Sequence, residues 1–168
     1  AAERLTGWTI EETLGAPLCL VNNASLFAYD DITTLEPAQW DAHQATNLRA
    51  PVFLAKAIAA HLPANATGNI INIIDQRVWK PTPHFFSYHA TKAGLWTVTQ
   101  TLAQAFAPRI RVNAIGPGPV LKSDHQSEAD FRQQWETVPL GRGTTPDEIA
   151  AAVRIIAGES AKKGERIK

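Results

Sequence analysis

The chain has 168 residues, 45% of them apolar and 19% charged, the size and balance of one domain with its own core. Sixteen Lys and Arg against sixteen Asp and Glu leave a formal net charge of +0, so no global field draws in nucleic acid or an anionic membrane surface. No apolar run approaches the roughly 20 residues that cross a bilayer, and a soluble protein with neither kind of partner is the expectation.

The opening, AAERLTGWTIEET over 1–13, is polar and lacks the apolar core of a signal peptide. The chain contains no methionine, so Ala1 is not expected to be a natural start. APLCLVNNA over 16–24 is short, apolar and closed by asparagines, and it reads as a strand. It carries the single cysteine, Cys19, which has no partner for an intrachain disulfide and suits a reducing compartment; a cytoplasmic location is expected. PAQWDAHQATNLRAPVFLAKAIAAHL over 37–62 is rich in Ala and Leu and predicts a long helix. NIINII over 69–74 reads as a second strand, HFFSYHATKAGLWTVTQTLAQAFA over 84–107 as a second long helix, and RIRVNAIG over 109–116 as a third strand. All three strands are expected to be buried on both faces.

The Pro/Gly cluster GPGPV over 116–120 breaks this pattern, and the polar SEADFRQQWET over 127–137 is expected to form a mobile flap. TPDEIAAAVRIIAG over 145–158 shows a threonine at the N-cap, proline at the first helical position, early acids and a terminal glycine, and predicts a further helix. The polar tail beyond it contains no further strand and is expected to fray. Strand, helix, strand, helix, strand is the order of a parallel sheet with right-handed crossovers, so residues 1–168 are expected to form one doubly wound, Rossmann-like α/β domain.

In such sheets small ligands bind beyond the carboxyl ends of the strands, and the candidate residues fall there. Asn22, Asn23, Ala24 and Ser25 leave the first strand, Asp75 leaves the second, and Gly116 to Val120 leave the third. Tyr88 and Lys92, four apart, share one face of the helix after the second strand. With two tyrosines and seven lysines in the chain, chance supplies roughly 0.08 Tyr-x-x-x-Lys pairs, so the pair alone is a moderate signal. An ammonium beside a phenol favours the phenolate and lowers a pKa that starts at about 10, making Tyr88 a proton donor and acceptor near neutrality. The alternative is a plain surface pair on a helix.

Asn22-Asn23-Ala24-Ser25, Asn47 within the first long helix, Asn72, Tyr88-x-x-x-Lys92, and Asn113 with Pro117-Gly118 stand together in one order and spacing. In these residues, over about 14–157, the chain resembles the short-chain dehydrogenase/reductases. That resemblance implies that Tyr88 is the catalytic acid and base, that Lys92 holds the nicotinamide ribose and tunes Tyr88, and that Asn47 supports a proton-relay water. It also implies that Asn23, Ala24, Ser25, Tyr88, Lys92, Pro117, Gly118 and Val120 border the nicotinamide cofactor. The family's opening strand, its glycine-rich pyrophosphate turn and its last strand have no counterpart in these residues, so the domain is expected to be incomplete at both ends.

One position departs from the family. A serine usually stands thirteen residues before the tyrosine, and here position 75 is aspartate. A hydroxyl can donate to a carbonyl that becomes an alkoxide, whereas a carboxylate would repel that developing charge. A carboxyl group suits a ring whose nitrogens donate to it or take a proton as a C=N bond accepts hydride. Asp75, Tyr88 and Lys92, with Asn23-Ala24-Ser25-Leu26-Phe27, are similar to the set found in the pteridine reductase branch. The resemblance implies NADPH as cofactor, a pterin stacked on Phe27, Ser25 in contact with both molecules, and Asp75 and Tyr88 at the substrate. Taken singly, Phe27 also reads as a core or loop aromatic, Ser25 as a turn residue and Asp75 as a strand-end or helix-capping acid.

The sequence therefore points to an NADPH-dependent pteridine reductase. A carbonyl or alcohol oxidoreductase, or a non-catalytic protein on the same fold, are the alternatives. The two long helices match those at the subunit interface of many relatives, which implies a homotetramer. Trp79, His84, Phe85, Phe86 and Trp135 are set aside as packing residues that border the pocket. His43, His61, His89 and His125 show no metal-ligand spacing, and no metal is expected.

Overall fold

The computed structural model describes residues 18–123 and 126–158. Residues 16–17 of the first expected strand, His125 and the tail expected to fray lie outside that range.

Three strands, β1 (Cys19–Asn22), β2 (Gly68–Ile73) and β3 (Ile110–Ile115), form a parallel sheet in the order β1-β2-β3. Cys19 stands opposite Asn69, and Gly68 opposite Ile110. Side chains alternate across the pleat, and this separates two interfaces. Ile70 and Val112 point into a core with Ala55, Ile58 and Leu62. Asn69 and Arg111 point the other way, each donating to the carbonyl of Ile156 at 2.8 Å. Helices thus cover both faces of the sheet, as the doubly wound pattern requires. Burial on both faces holds for β2 but fails for β1, where Cys19 is exposed and Val21 is 39% exposed. Among the described residues β1 pairs on one side only, which leaves its face thinly covered.

The helix expected over 37–62 is interrupted. It runs as α1 (Pro37–His43), a π-helical stretch (Gln44–Arg49) and α2 (Ala50–His61). Pro51 has no N–H to give the Asn47 carbonyl, so the ladder shifts register and Ala50 bonds to Ala45 instead. The widened turn places Asn47, 1% exposed, against the loop after β1. Helix α3 (Phe86–Phe106) follows β2 and packs on β3 and on the π-helical stretch. Its predecessor Phe85 has φ of 57°, a left-handed conformation that costs a residue with a Cβ about 1 kcal/mol or more.

The stretch expected to be a flap contains a helix, α4 (Glu128–Glu136), started by Ser127, whose hydroxyl accepts from the Asp130 N–H at 3.1 Å. Trp135 on α4 packs over Gly143, where an added Cβ would collide with the indole and with the Pro119 carbonyl. Helix α5 (Pro146–Gly158) begins as the sequence predicts: Thr145 and Glu148 exchange hydrogen bonds at 2.9 and 3.3 Å, a reciprocal cap.

Candidate active site

The ends of β1, β2 and the middle of α3 are tied by a buried amide chain. Asn22 Nδ2 donates to Asn72 Oδ1 at 2.7 Å, and Asn72 Nδ2 donates to Thr99 Oγ1 at 2.9 Å. Buried amides satisfied in this way fix the strand ends relative to the helix. The turn after β1 is held next. The Leu26 N–H donates to Asn47 Oδ1 at 2.7 Å, Asn47 Nδ2 returns to the Leu26 carbonyl at 2.9 Å, and Ser25 Oγ donates to Asn47 Oδ1 at 3.3 Å. Asn47 therefore acts on the backbone that carries Ser25 and Phe27.

Asp75 and Tyr88 meet. The Tyr88 hydroxyl donates to Asp75 Oδ2 at 3.0 Å, while Asp75 Oδ1 accepts from the Arg77 N–H at 2.8 Å. One carboxylate oxygen caps the short 3-10 turn Gln76–Val78, as the capping reading expects, and the other accepts from the phenol. Phe27 approaches Tyr88 edge-on with ring centroids 4.7 Å apart, and Phe85 stacks on Phe27 at 4.4 Å. These groups open into a cavity of about 250 Å³ whose wall includes Phe27, Asp75, Arg77, Phe85, Tyr88 and Val120.

The expected electrostatics of Tyr88 are reversed. Burial, then the charge and hydrogen bond of Asp75, push the phenol well above its ordinary value, and Arg77 pulls only weakly the other way. Lys92 does not neutralise it. Its ammonium donates to the Ile73 carbonyl at 2.8 Å and sits 5.6 Å from the centre of the Tyr88 ring, over the face rather than at the hydroxyl. Burial lowers Lys92 itself to about 8, against the opposing pull of Asp75.

Of the residues singled out in the sequence, Phe27, Asp75, Tyr88, Gly118 and Val120 share the cavity wall. Ser25 and Lys92 do not line it: Lys92 is buried, and Ser25 is exposed with Asn23 and Ala24 in the segment after β1. Pro117 is joined to the Asp75 side by its carbonyl, which accepts from the Gln76 N–H at 3.1 Å. Sequence reasoning passed over Gln76, Arg77, Gln126 and Gln134, which also line the cavity. Their only signal was adjacency: the first two follow Asp75, and the others lie in the polar stretch after the Pro/Gly cluster. Phe85, set aside as packing, proves to be the stacking partner of Phe27. Among the described residues no cluster of His, Cys, Asp and Glu has the geometry of a metal site.

Known proteins resemble this chain over most of its length. A family profile described as enoyl-(acyl carrier protein) reductase matches residues 4–164. An uncharacterised oxidoreductase, YjdA, of Bacillus subtilis (strain 168) is 32% identical over 156 residues, covering 91% of this chain and 62% of its own length. Nodulation protein G of Azospirillum brasilense is 35% identical over 155 residues, covering 90% of this chain and 63% of its own. Among solved structures, FolM alternative dihydrofolate reductase 1 from Brucella suis, in complex with NADP, superposes with a TM-score of 0.86 at 47% identity, covering 90% of this chain and 62% of that one. The chain thus spans a little over three fifths of the length of these relatives. With the matched profile running almost from end to end and the strand-end amides, Tyr88 and Lys92 in place, the chain belongs to the short-chain dehydrogenase/reductase family.

Proposed function

We propose that the protein is an NADPH-dependent oxidoreductase that reduces a pteridine ring, of the dihydropterin, biopterin or folate kind. The observation that carries this reading is the Tyr88 hydroxyl donating to the Asp75 carboxylate at 3.0 Å within one aromatic-lined cavity. The 47% identity to a FolM structure bound to NADP supports both the cofactor and the substrate class.

The residues present suit a nicotinamide cofactor. Lys92 has three donors and spends one on Ile73, so its ammonium would hold ribose hydroxyls, and residues 23–25 with the segment from Pro117 to Val120 would line the cofactor. When bound, the cofactor supplies the hydride. The chain's own residues handle the rest. Tyr88, whose hydroxyl meets Asp75 at the cavity, is the proton donor to the ring, and its proton is replaced from water. Asp75 orients that phenol and accepts from ring N–H groups. Phe27 and Phe85 supply the apolar edge against which a flat heterocycle lies and keep water from it. Asn47 holds the turn bearing Ser25 and Phe27. A carbonyl substrate is served less well, because its alkoxide would develop beside the Asp75 carboxylate.

The exposed Phe53 and Leu54 on α2, at 53% and 48%, are the kind of surface a homotetramer would cover, and we include that assembly and a cytoplasmic location in the proposal. No helix among the described residues is long and apolar enough to cross a membrane. The test is to mix the protein with NADPH and dihydrobiopterin or dihydrofolate and follow loss of NADPH absorbance. Turnover of a ketone and alcohol panel with neither pteridine consumed would overturn the substrate class, and silence on every substrate would favour the non-catalytic reading. Light scattering in solution tests the tetramer.

A further inference from the structure

Behind Tyr88 lies a second polar cluster that the reaction does not touch. Asp30, His43 and Ser87 are each 1% exposed or less, and no ammonium or guanidinium among the described residues pairs with Asp30. The buried carboxylate is held instead by the start of α3. The N–H groups of Phe85 and Phe86 donate to the Asp30 carbonyl at 2.7 and 3.4 Å, and the Ser87 N–H donates to Asp30 Oδ1 at 3.2 Å. Helix α3 has no capping side chain of its own, so a distant loop satisfies its first-turn donors. The Asp30 side chain thus serves as the N-terminal cap that α3 does not supply itself.

The cluster continues to the segment that follows Phe27. His43 Nε2 accepts from the Ala28 N–H at 3.2 Å, so that nitrogen carries no proton. In a neutral imidazole the proton is then on Nδ1, which lies 2.7 Å from Ser87 Oγ and donates to it. The Ser87 hydroxyl is left to donate to Asp30 Oδ2, with which it is in close contact. Burial holds His43 below its ordinary value and favours this neutral form. Every donor and acceptor is used in one sense, from His43 through Ser87 to Asp30.

The chain joins two segments that line the cavity. Its two ends reach Ala28 and Asp30, just after Phe27, and its middle is Ser87, directly before Tyr88. We propose that Asp30, Ser87 and His43 are positioning residues that hold Phe27 edge-on against Tyr88, and so shape the wall that a planar substrate meets. The proposal rests on reading this cavity as the substrate slot.

The experiment compares Ser87→Ala with the unaltered protein by amide hydrogen exchange and by steady-state kinetics with NADPH and dihydrobiopterin. Loss of the buried hydroxyl that links His43 to Asp30 predicts about tenfold faster exchange in both 26–30 and 85–88, with β2 unchanged. It also predicts a KM for the pteridine raised about tenfold, with NADPH affinity within about twofold of its starting value. Exchange altered in only one of the two stretches, or in both with KM unmoved, overturns the proposal, because a merely structural cap would loosen the helix without touching the fit. If Ser87→Ala fails to fold, Asp30→Asn, of nearly equal shape, is read by the same criteria. If the unaltered protein reduces no pteridine, the proposed function fails on its own, and the joint change in exchange decides whether the chain couples the two walls.

Discussion

The cavity has a buried wall and a polar one. The first presents Tyr88 and is backed by Asp30, His43, Asn47 and Ser87; all five are below 8% exposed, and each has a named partner from another part of the chain. The second wall, from the Pro/Gly cluster through α4, contributes Gln126 and Gln134, joined at 2.9 Å, and α4 buries none of its residues. Groups that must meet a reacting atom sit where packing and hydrogen bonds leave no alternative position. Groups that only close over a ligand sit where opening costs little.

The largest effect expected from breaking the buried wall is Tyr88→Phe. It leaves the aromatic contacts and removes the proton donor, and turnover of the pteridine should fall about 10²- to 10⁴-fold with NADPH binding kept. Undiminished turnover would exclude Tyr88 as the acid. Asp75→Ser comes next. It removes the carboxylate from the phenol and the cap from the 3-10 turn, and pteridine kcat/KM should fall by about a hundredfold while cofactor affinity holds. Equal rates would remove the argument from the carboxylate.

Lys92 offers a pH test of the same wall. Its folded value of about 8 lies below the ordinary 10.5, so between those values the unfolded chain binds the extra proton. Stability of the cofactor-free protein relative to Lys92→Met should therefore rise with pH from about 8 to about 10.5, by on the order of 3 kcal/mol at most. Denaturant midpoints that stay parallel across that range would contradict a desolvated ammonium. On the polar wall, Gln134→Ala should raise the pteridine KM by only about two- to fivefold, with kcat unchanged. Ser127→Ala should be smallest, removing about 1 kcal/mol from the α4 cap and speeding amide exchange there without moving global unfolding.

The difference between the walls also explains what could be read in advance. The strands over 69–74 and 109–116 and the helix over 84–107 were legible because short β-branched runs and long Ala/Leu stretches report their own burial. Asp75 and Tyr88 were legible because a parallel sheet delivers strand ends and following helices to one crevice. The π-helical turn was missed although Pro51 announces it, since the apolar pattern continues through it. Helix α4 was missed because its apolar face is only Phe131 and Trp135 within a polar stretch, and Ser127 with its early acids is the one start signal.

The sequence by itself determined the order of strands and helices, the end of the sheet where chemistry gathers, and the identity of the acid and the phenol. These depend on local pattern and on connection rules that hold for any such sheet. The tertiary structure decided how those groups are held. Lys92 turns to the Ile73 carbonyl rather than to the phenol, and Tyr88 is raised rather than lowered. Asp30 and His43, 57 and 44 residues before Ser87, close into one buried chain. Spacing along a chain cannot reveal such meetings, because they are fixed by the few directions in which a buried polar atom can find a partner.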